Sequence, residues 1–162
     1  MTDWMLQLGW NDDLSRHLEP YLSKKLAPAR VILVYRKQLR VISHRGEHWA
    51  RTGGRVMHSA ENLGELPAVG DWVAARIPEN GEALVHAILP RKSAFIRKVA
   101  GENAAPHVLA ANIDTVMIVM GLDGDFNVRR LERYLTLTWE SRARPVIVLN
   151  KKDVATNLDA QV

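Results

Sequence analysis

The chain has no cysteine, which excludes disulfides and thiolate zinc sites within this stretch and fits a reducing compartment. No apolar run reaches the roughly 20 residues needed to cross a bilayer. The start, Met1-Thr2-Asp3-Trp4, carries no basic-then-apolar leader, so a cytoplasmic protein with no membrane partner is expected. No segment pairs low hydrophobicity with strong charge, and the ten glycines and seven prolines follow no repeat. With 47% hydrophobic residues the chain can bury a core, and a folded protein is expected. A Ser-centred nucleophile elbow and a paired-carboxylate constellation are also lacking, which leaves hydrolase chemistry of those kinds without a foothold. His44 and His48 stand four apart, but Gly46 between them reads as a hairpin turn and no cysteine or carboxylate cluster supports them, so no metal site is expected in this stretch.

What is present is an uneven charge. The net +4 divides into −3 over residues 1–23, +8 over 24–98 (14 basic against 6 acidic side chains) and −1 over 99–162. The basic excess belongs to the middle segment. Arg36, Lys37, Arg40, Arg91, Lys92, Arg97 and Lys98 supply much of it.

From Arg30 to about Leu89 short β-branched and aromatic runs alternate with turn chemistry. Strands are expected at Val31 to Tyr35, Leu39 to Ile42, Trp49 to Arg51, Arg55 to His58 after a bulge or turn at Gly53-Gly54, Asp71 to Ile77, and Ala83 to Leu89. About five short strands in some 60 residues point to a small closed barrel of the OB type. Such barrels bind single-stranded nucleic acid by combining a basic groove with aromatic platforms, for which Tyr35, Trp49 and Trp72 are the aromatics available. The opposing reading is that the basic side chains are merely solvated and the tryptophans belong to the core.

Beyond Gly101 the pattern changes. Ile113 to Met120 is a continuous apolar run of the kind found in parallel sheets, Asn127 can cap a helix, and Val128, Leu131, Leu135 and Trp139 recur near helical spacing. Arg142 and Arg144 suit a helix C-terminus, Pro145 stops continuation, and Val146 to Leu149 forms a second strand. Strand, helix and strand make a βαβ unit with a right-handed crossover.

Directly after that second strand stands Asn150-Lys151-Lys152-Asp153, which matches the N-K-x-D signature by which GTPases recognise guanine. Its place matters, because open α/β sheets bind ligands outside the carboxyl ends of their strands. Guanine displays adjacent N1–H and N2 amino donors, and an ionised Asp153 offers two acceptors to match. Adenine lacks that pair and would leave the carboxylate partly unpaired. Asn150 can use its amide on the purine's other edge or brace the loop, Lys151 can lay its stem along the base face, and Lys152 holds the free position. The alternative is ordinary loop chemistry, with two solvated lysines between cap-forming residues.

Taken in order, the sequence resembles the ribosome-small-subunit-dependent GTPase A family. The resemblance is carried by Leu8-Gly9-Trp10, Pro67-Ala68-Val69-Gly70-Asp71-Trp72-Val73, Leu89-Pro90-Arg91-Lys92-Ser93, Ala111-Asn112-Ile113-Asp114, Gly121-Leu122-Asp123-Gly124-Asp125-Phe126-Asn127 and Asn150 to Asp153. It implies a fold of class β + α/β: an N-terminal extension (1–29), an OB-fold RNA-binding barrel (30–105), and the start of a circularly permuted P-loop-type GTPase domain (106–162), incomplete in this stretch. It further implies GTP binding and hydrolysis in late maturation of the small ribosomal subunit, rRNA contact through the barrel, and a monomer when complete. Mg2+ and Zn2+ are implied too, at sites outside this stretch.

Neither G-x-x-x-x-G-K-[ST] nor D-x-x-G occurs. Phosphoryl transfer depends on positioning and charge around phosphates and Mg2+, so the stretch alone is expected to be inactive and to hold no catalytic residue. A two-strand remnant should also expose a face that further strands would cover. The rival reading is a non-catalytic RNA-binding barrel with a docking βαβ appendage.

Overall fold

A computed structural model describes residues 3–98 and 106–155, with the side chains of Lys98 and Pro106 outside the description. The chain opens with two helices, α1 (Asp3–Gln7) and α2 (Asp12–Leu22). Asn11 caps α2 by accepting the Leu14 N–H at 2.9 Å, and Asp12 and Asp13 place negative charge in the first turn, where the helix dipole favours it. Leu14 and Leu18, one turn apart, are both buried. They pack with Trp10 onto Trp72, Ala74 and Leu89, and the Trp10 ring meets Trp72 edge-on at 4.8 Å between centroids. Trp72, 1% exposed, is therefore a core residue and no stacking platform.

Five strands close a barrel: β1 (Ala27–Tyr35), β2 (Gln38–Ser43), β3 (Gly46–Thr52), β4 (Trp72–Arg76) and β5 (Ala83–Ile88), in spatial order β1-β2-β3-β5-β4. All neighbours are antiparallel except β3 and β5. Val31, Val41, Val73 and Val85 fill the interior with Ala29, Ala50, Ala75 and Ala83. Small and β-branched side chains suit it, because so narrow a barrel has little internal space. A β-bulge between Val31 and Leu33 turns the end of β1, so that Leu33, Val34 and Tyr35 are exposed.

Residues Arg55 to His58 are not a strand. They lie in α3 (Gly54–Ser59), between β3 and β4, with Val56 the one buried residue of the four. A single buried side chain between exposed neighbours, with Met57 left 47% exposed, serves a short helix, whereas a strand in a closed barrel would place every second residue inside. Gly53 begins this helix, and its N–H donates to the Val85 carbonyl at 2.8 Å. A Cβ there would stand 2.7 Å from that oxygen, so glycine is required by close approach to β5.

The barrel exit is clasped by a buried ion pair. Asp71, fully buried, accepts the Ala68 N–H at 2.8 Å and both Nε and Nη2 of Arg91, at 2.8 and 2.7 Å. Arg91 also donates to the carbonyls of Gly64 and Leu66. Beyond it β6 (Ala94–Lys98) and β7 (Pro106–Ala111) form an antiparallel ribbon. The ribbon crosses the barrel at Gly70, whose φ is +89° and where a Cβ would lie 2.0 Å from the Ala111 carbonyl.

Next comes the βαβ unit: β8 (Thr115–Gly121), α4 (Val128–Glu140) and β9 (Arg144–Asn150), with the strands parallel from Thr115 opposite Arg144 to Gly121 opposite Asn150. Asn127 caps α4 through the Arg130 N–H at 2.9 Å. One face of β8 is covered, burying Ile118 and Met120. Met117 and Val119 on its other face are 69% and 62% exposed, so this face is open among the described residues.

Candidate functional site

The parallel register brings the ends of β8 and β9 together, and the Leu122 N–H donates to the Asn150 carbonyl at 2.9 Å just past both. Residues on the turn after β8 thus face residues on the turn after β9. Asn150 Oδ1 accepts the Lys151 N–H at 2.8 Å and so braces its own loop. Lys151 has φ 60° and ψ 39°, a left-handed conformation that costs a non-glycine residue about 1–2 kcal/mol. It turns the chain into a short 3₁₀ segment, Lys152–Val154, which carries Asp153.

Asp153 is exposed, and its carboxylate makes no hydrogen bond or ion pair among the described residues. Lys152 is exposed as well. Lys151 instead reaches across to the β8 side, where Nζ donates to Oδ2 of Asp123 at 2.5 Å. The hydrogen bond from Lys151, aided by the Asp125 N–H, holds the Asp123 carboxyl below its ordinary range; the same contact raises the Lys151 ammonium above its own. Both groups are therefore charged throughout the neutral range. Asp123 was not among the site residues expected from sequence, although it belongs to the Gly121 to Asn127 stretch that carries the resemblance. The available signal is an acidic residue just past a continuous apolar run, at the end of the sheet that also presents Asn150.

The expected basic surface separates into unlike parts. Arg36 and Lys37 form the exposed β1–β2 turn, and Arg40 follows on β2. Arg36 lies over the Tyr35 ring at 5.4 Å, and Arg40 over its cross-strand partner Trp49 at 5.6 Å while pairing with Glu47 at 3.0 Å. Tyr35 and Trp49 are 56% and 47% exposed, so two cation–aromatic pairs face outward on neighbouring strands. Arg91 has no place on this surface, because its donors are spent on Asp71 and two carbonyls inside the fold. Lys92 is exposed and pairs with Asp114 at 2.9 Å, and Arg97 is exposed on β6. The Lys98 side chain lies outside the described residues.

Among the described residues no three His, Asp or Glu side chains converge as metal ligands. Among these residues, too, no helix is long and apolar enough to cross a membrane.

Comparison with known proteins agrees with this geometry. Residues 88–162 match the RsgA GTPase family. A protein of Opitutus terrae named small ribosomal subunit biogenesis GTPase RsgA is 47% identical over 156 residues, covering 91% of this chain and 42% of that protein. Its namesake in Syntrophotalea carbinolica is 43% identical over 162 residues, covering 96% and 44%. The chain thus spans less than half the length of these relatives. Among solved structures, YloQ, described as a circularly permuted GTPase, superposes with a TM-score of 0.60 at 20% identity, covering 83% of this chain and 44% of that one. YjeQ from Thermotoga maritima gives 0.61 at 19%, covering 83% and 45%. The two structures share the fold, a closed OB-like barrel followed by α/β elements of a circularly permuted GTPase. With its matched segment running through the second half of the chain and relatives of this identity along nearly all of it, the chain belongs to the RsgA GTPase family.

Proposed function

We propose that this chain supplies the base-reading and RNA-holding parts of a GTP-hydrolysing factor that acts in the cytoplasm on the maturing small ribosomal subunit. The observation that carries the reading is the exposed carboxylate of Asp153, presented one short turn beyond the carboxyl end of β9. There its two oxygens accept N1–H and the N2 amino group of guanine, while the Asn150 amide nitrogen addresses the other edge of the purine. The Lys151 stem lies against the base face, and Lys152 stays in solvent. Adenine would leave the carboxylate desolvated and half-paired, which is the basis of selection.

The phosphates are not this chain's work. With no phosphate-cradling glycine loop and no D-x-x-G, residues 1–162 alone hold the nucleotide weakly and do not hydrolyse it; Mg2+ and Zn2+ belong to parts beyond this stretch. RNA is held on the outer face of β1 to β3, where Arg36, Lys37 and Arg40 supply charge and Tyr35 and Trp49 supply stacking surface, with Lys92, Arg97 and Lys98 as further phosphate contacts.

The decisive experiment is Asp153→Asn in a protein of the relatives' full length that carries this chain. Losing a charge-assisted pair should weaken guanine nucleotides about 10- to 100-fold. Xanthine nucleotides should be tolerated better, because the new amide can donate to the carbonyl that replaces guanine's amino group. An unchanged guanine-over-xanthine ratio in nucleotide competition would remove Asp153 from this role.

A further inference from the structure

Among the described residues, Lys151 is the one member of the base-reading tetrapeptide whose side chain is tied to a residue outside it. Its partner, Asp123, sits on a turn that is itself well fixed. Oδ1 of Asp123 accepts the Asp125 N–H at 3.1 Å, and its carbonyl accepts the Phe126 N–H at 3.0 Å. Gly121 leaves room for the carboxylate, since a Cβ there would stand 2.8 Å from Oδ1. The other oxygen, Oδ2, is directed at Lys151 Nζ. At the opposite end the lysine backbone is held left-handed, with its N–H on Asn150 Oδ1. Both ends of the side chain are thus pinned, one at the exit of β9 and the other at the exit of β8.

We propose that Asp123 is a positioning residue of the base site: by holding Lys151 Nζ it stretches the four-carbon stem from one strand exit to the other, making a preformed apolar floor on which the purine stacks while Asp153 reads its edge. The inference rests on the guanine reading above and deepens it. A lysine free in water samples many rotamers, and a ligand that stacks on it must first order them. The ion pair does that ordering before the nucleotide arrives. Since every purine offers a flat face of similar size, the floor adds affinity without choosing among bases. Asp123 and Asp153 therefore divide the task, one setting how well a purine is held and the other which purine it is.

The division can be tested in a protein of the relatives' full length carrying this chain, by titrating fluorescent GDP and its xanthine and hypoxanthine counterparts. Asp123→Asn keeps an oxygen for the Asp125 N–H, so the turn survives while the ion pair is lost. The expected result is affinity lower by about 2- to 5-fold, the range for one exposed ion pair, in equal proportion for all three bases. Lys151→Met retains an apolar stem without its amine and should show the same loss, and combining the two should add nothing further. Asp123→Glu should restore part of the affinity. Unchanged affinity in Asp123→Asn, a loss that adds in full to that of Lys151→Met, or a loss that differs among bases overturns the proposal. Should Asp123→Asn not fold, Lys151→Met decides alone, with unchanged affinity counting against the floor. Failure of the guanine reading is separately visible, because it appears as an unaltered base ratio in Asp153→Asn and takes this inference with it.

Discussion

The barrel and the βαβ corner use similar residues to opposite ends. In the barrel, Val31, Val41, Val73 and Val85 all point into a closed interior, and the sheet has no free face inside. In the corner, β8 buries Ile118 and Met120 but leaves Met117 and Val119 in the open, and Lys151, Lys152 and Asp153 past the end of β9 are exposed while Asp123 past β8 is half-buried. Closure makes the barrel complete in itself, able to use its outer surface for a large charged partner. The corner is a half-covered ledge whose informative groups sit on turns beyond the strands. Identical chemistry therefore has different consequences in the two places.

The largest expected effect lies in the barrel clasp. Arg91→Ala leaves Asp71 buried without its partner and should cost about 3–5 kcal/mol of stability in chemical denaturation. A comparable change at an exposed arginine such as Arg36 should be near neutral, and near-neutral behaviour of Arg91→Ala would return it to the basic surface. Of intermediate size is one exchange made in both regions. Val85→Thr buries a hydroxyl inside the barrel and should cost about 1–3 kcal/mol. Val119→Thr should stay within about 0.5 kcal/mol and, on an apolar open face, reduce self-association in sedimentation. Equal costs at the two sites would mean that the β8 face is covered in solution.

The smallest effect is the pH response of the ledge. Asp123 is held below its ordinary range, so the contact with Lys151 is fully present above the usual carboxylate value and fades as pH falls through the depressed one. Lys151 is held above its ordinary value, so on the alkaline side the contact persists until pH rises through the elevated one. NMR titration of the two side chains should show a flat plateau across neutral pH. A midpoint for Asp123 at or above the ordinary carboxylate value would mean that the contact does not form.

Different parts of this architecture were visible in the sequence for different physical reasons. The barrel strands declared themselves through β-branched runs between turns, and Asn150 to Asp153 could be placed because strand and motif are contiguous. Arg55 to His58 is ambiguous because a four-residue run with two adjacent apolar side chains, Val56 and Met57, carries no usable period. Helix α2 is signalled only by Asn11 ahead of Leu14 and Leu18, and β6 and β7 are faint because their ribbon buries little beyond Val108 and Ala111 and alternates weakly. Arg91 and Asp123 share a cause of error: each is defined by a partner 20 or 28 residues away, Asp71 and Lys151, which only folding brings near. Charge can be counted along a chain, but burial and pairing cannot.

Asn112, which leads into β8, makes the point in three dimensions. It has a left-handed φ of 54°; its Nδ2 donates to the Gly70 carbonyl, its Oδ1 accepts the Lys92 N–H, and its carbonyl accepts from Arg30, which also donates to Leu8 and lies over the Trp72 ring. Three separate stretches of chain converge on one amide residue. The ledge is accordingly mitred to the barrel where the chain enters β8, not hung from it by a tether.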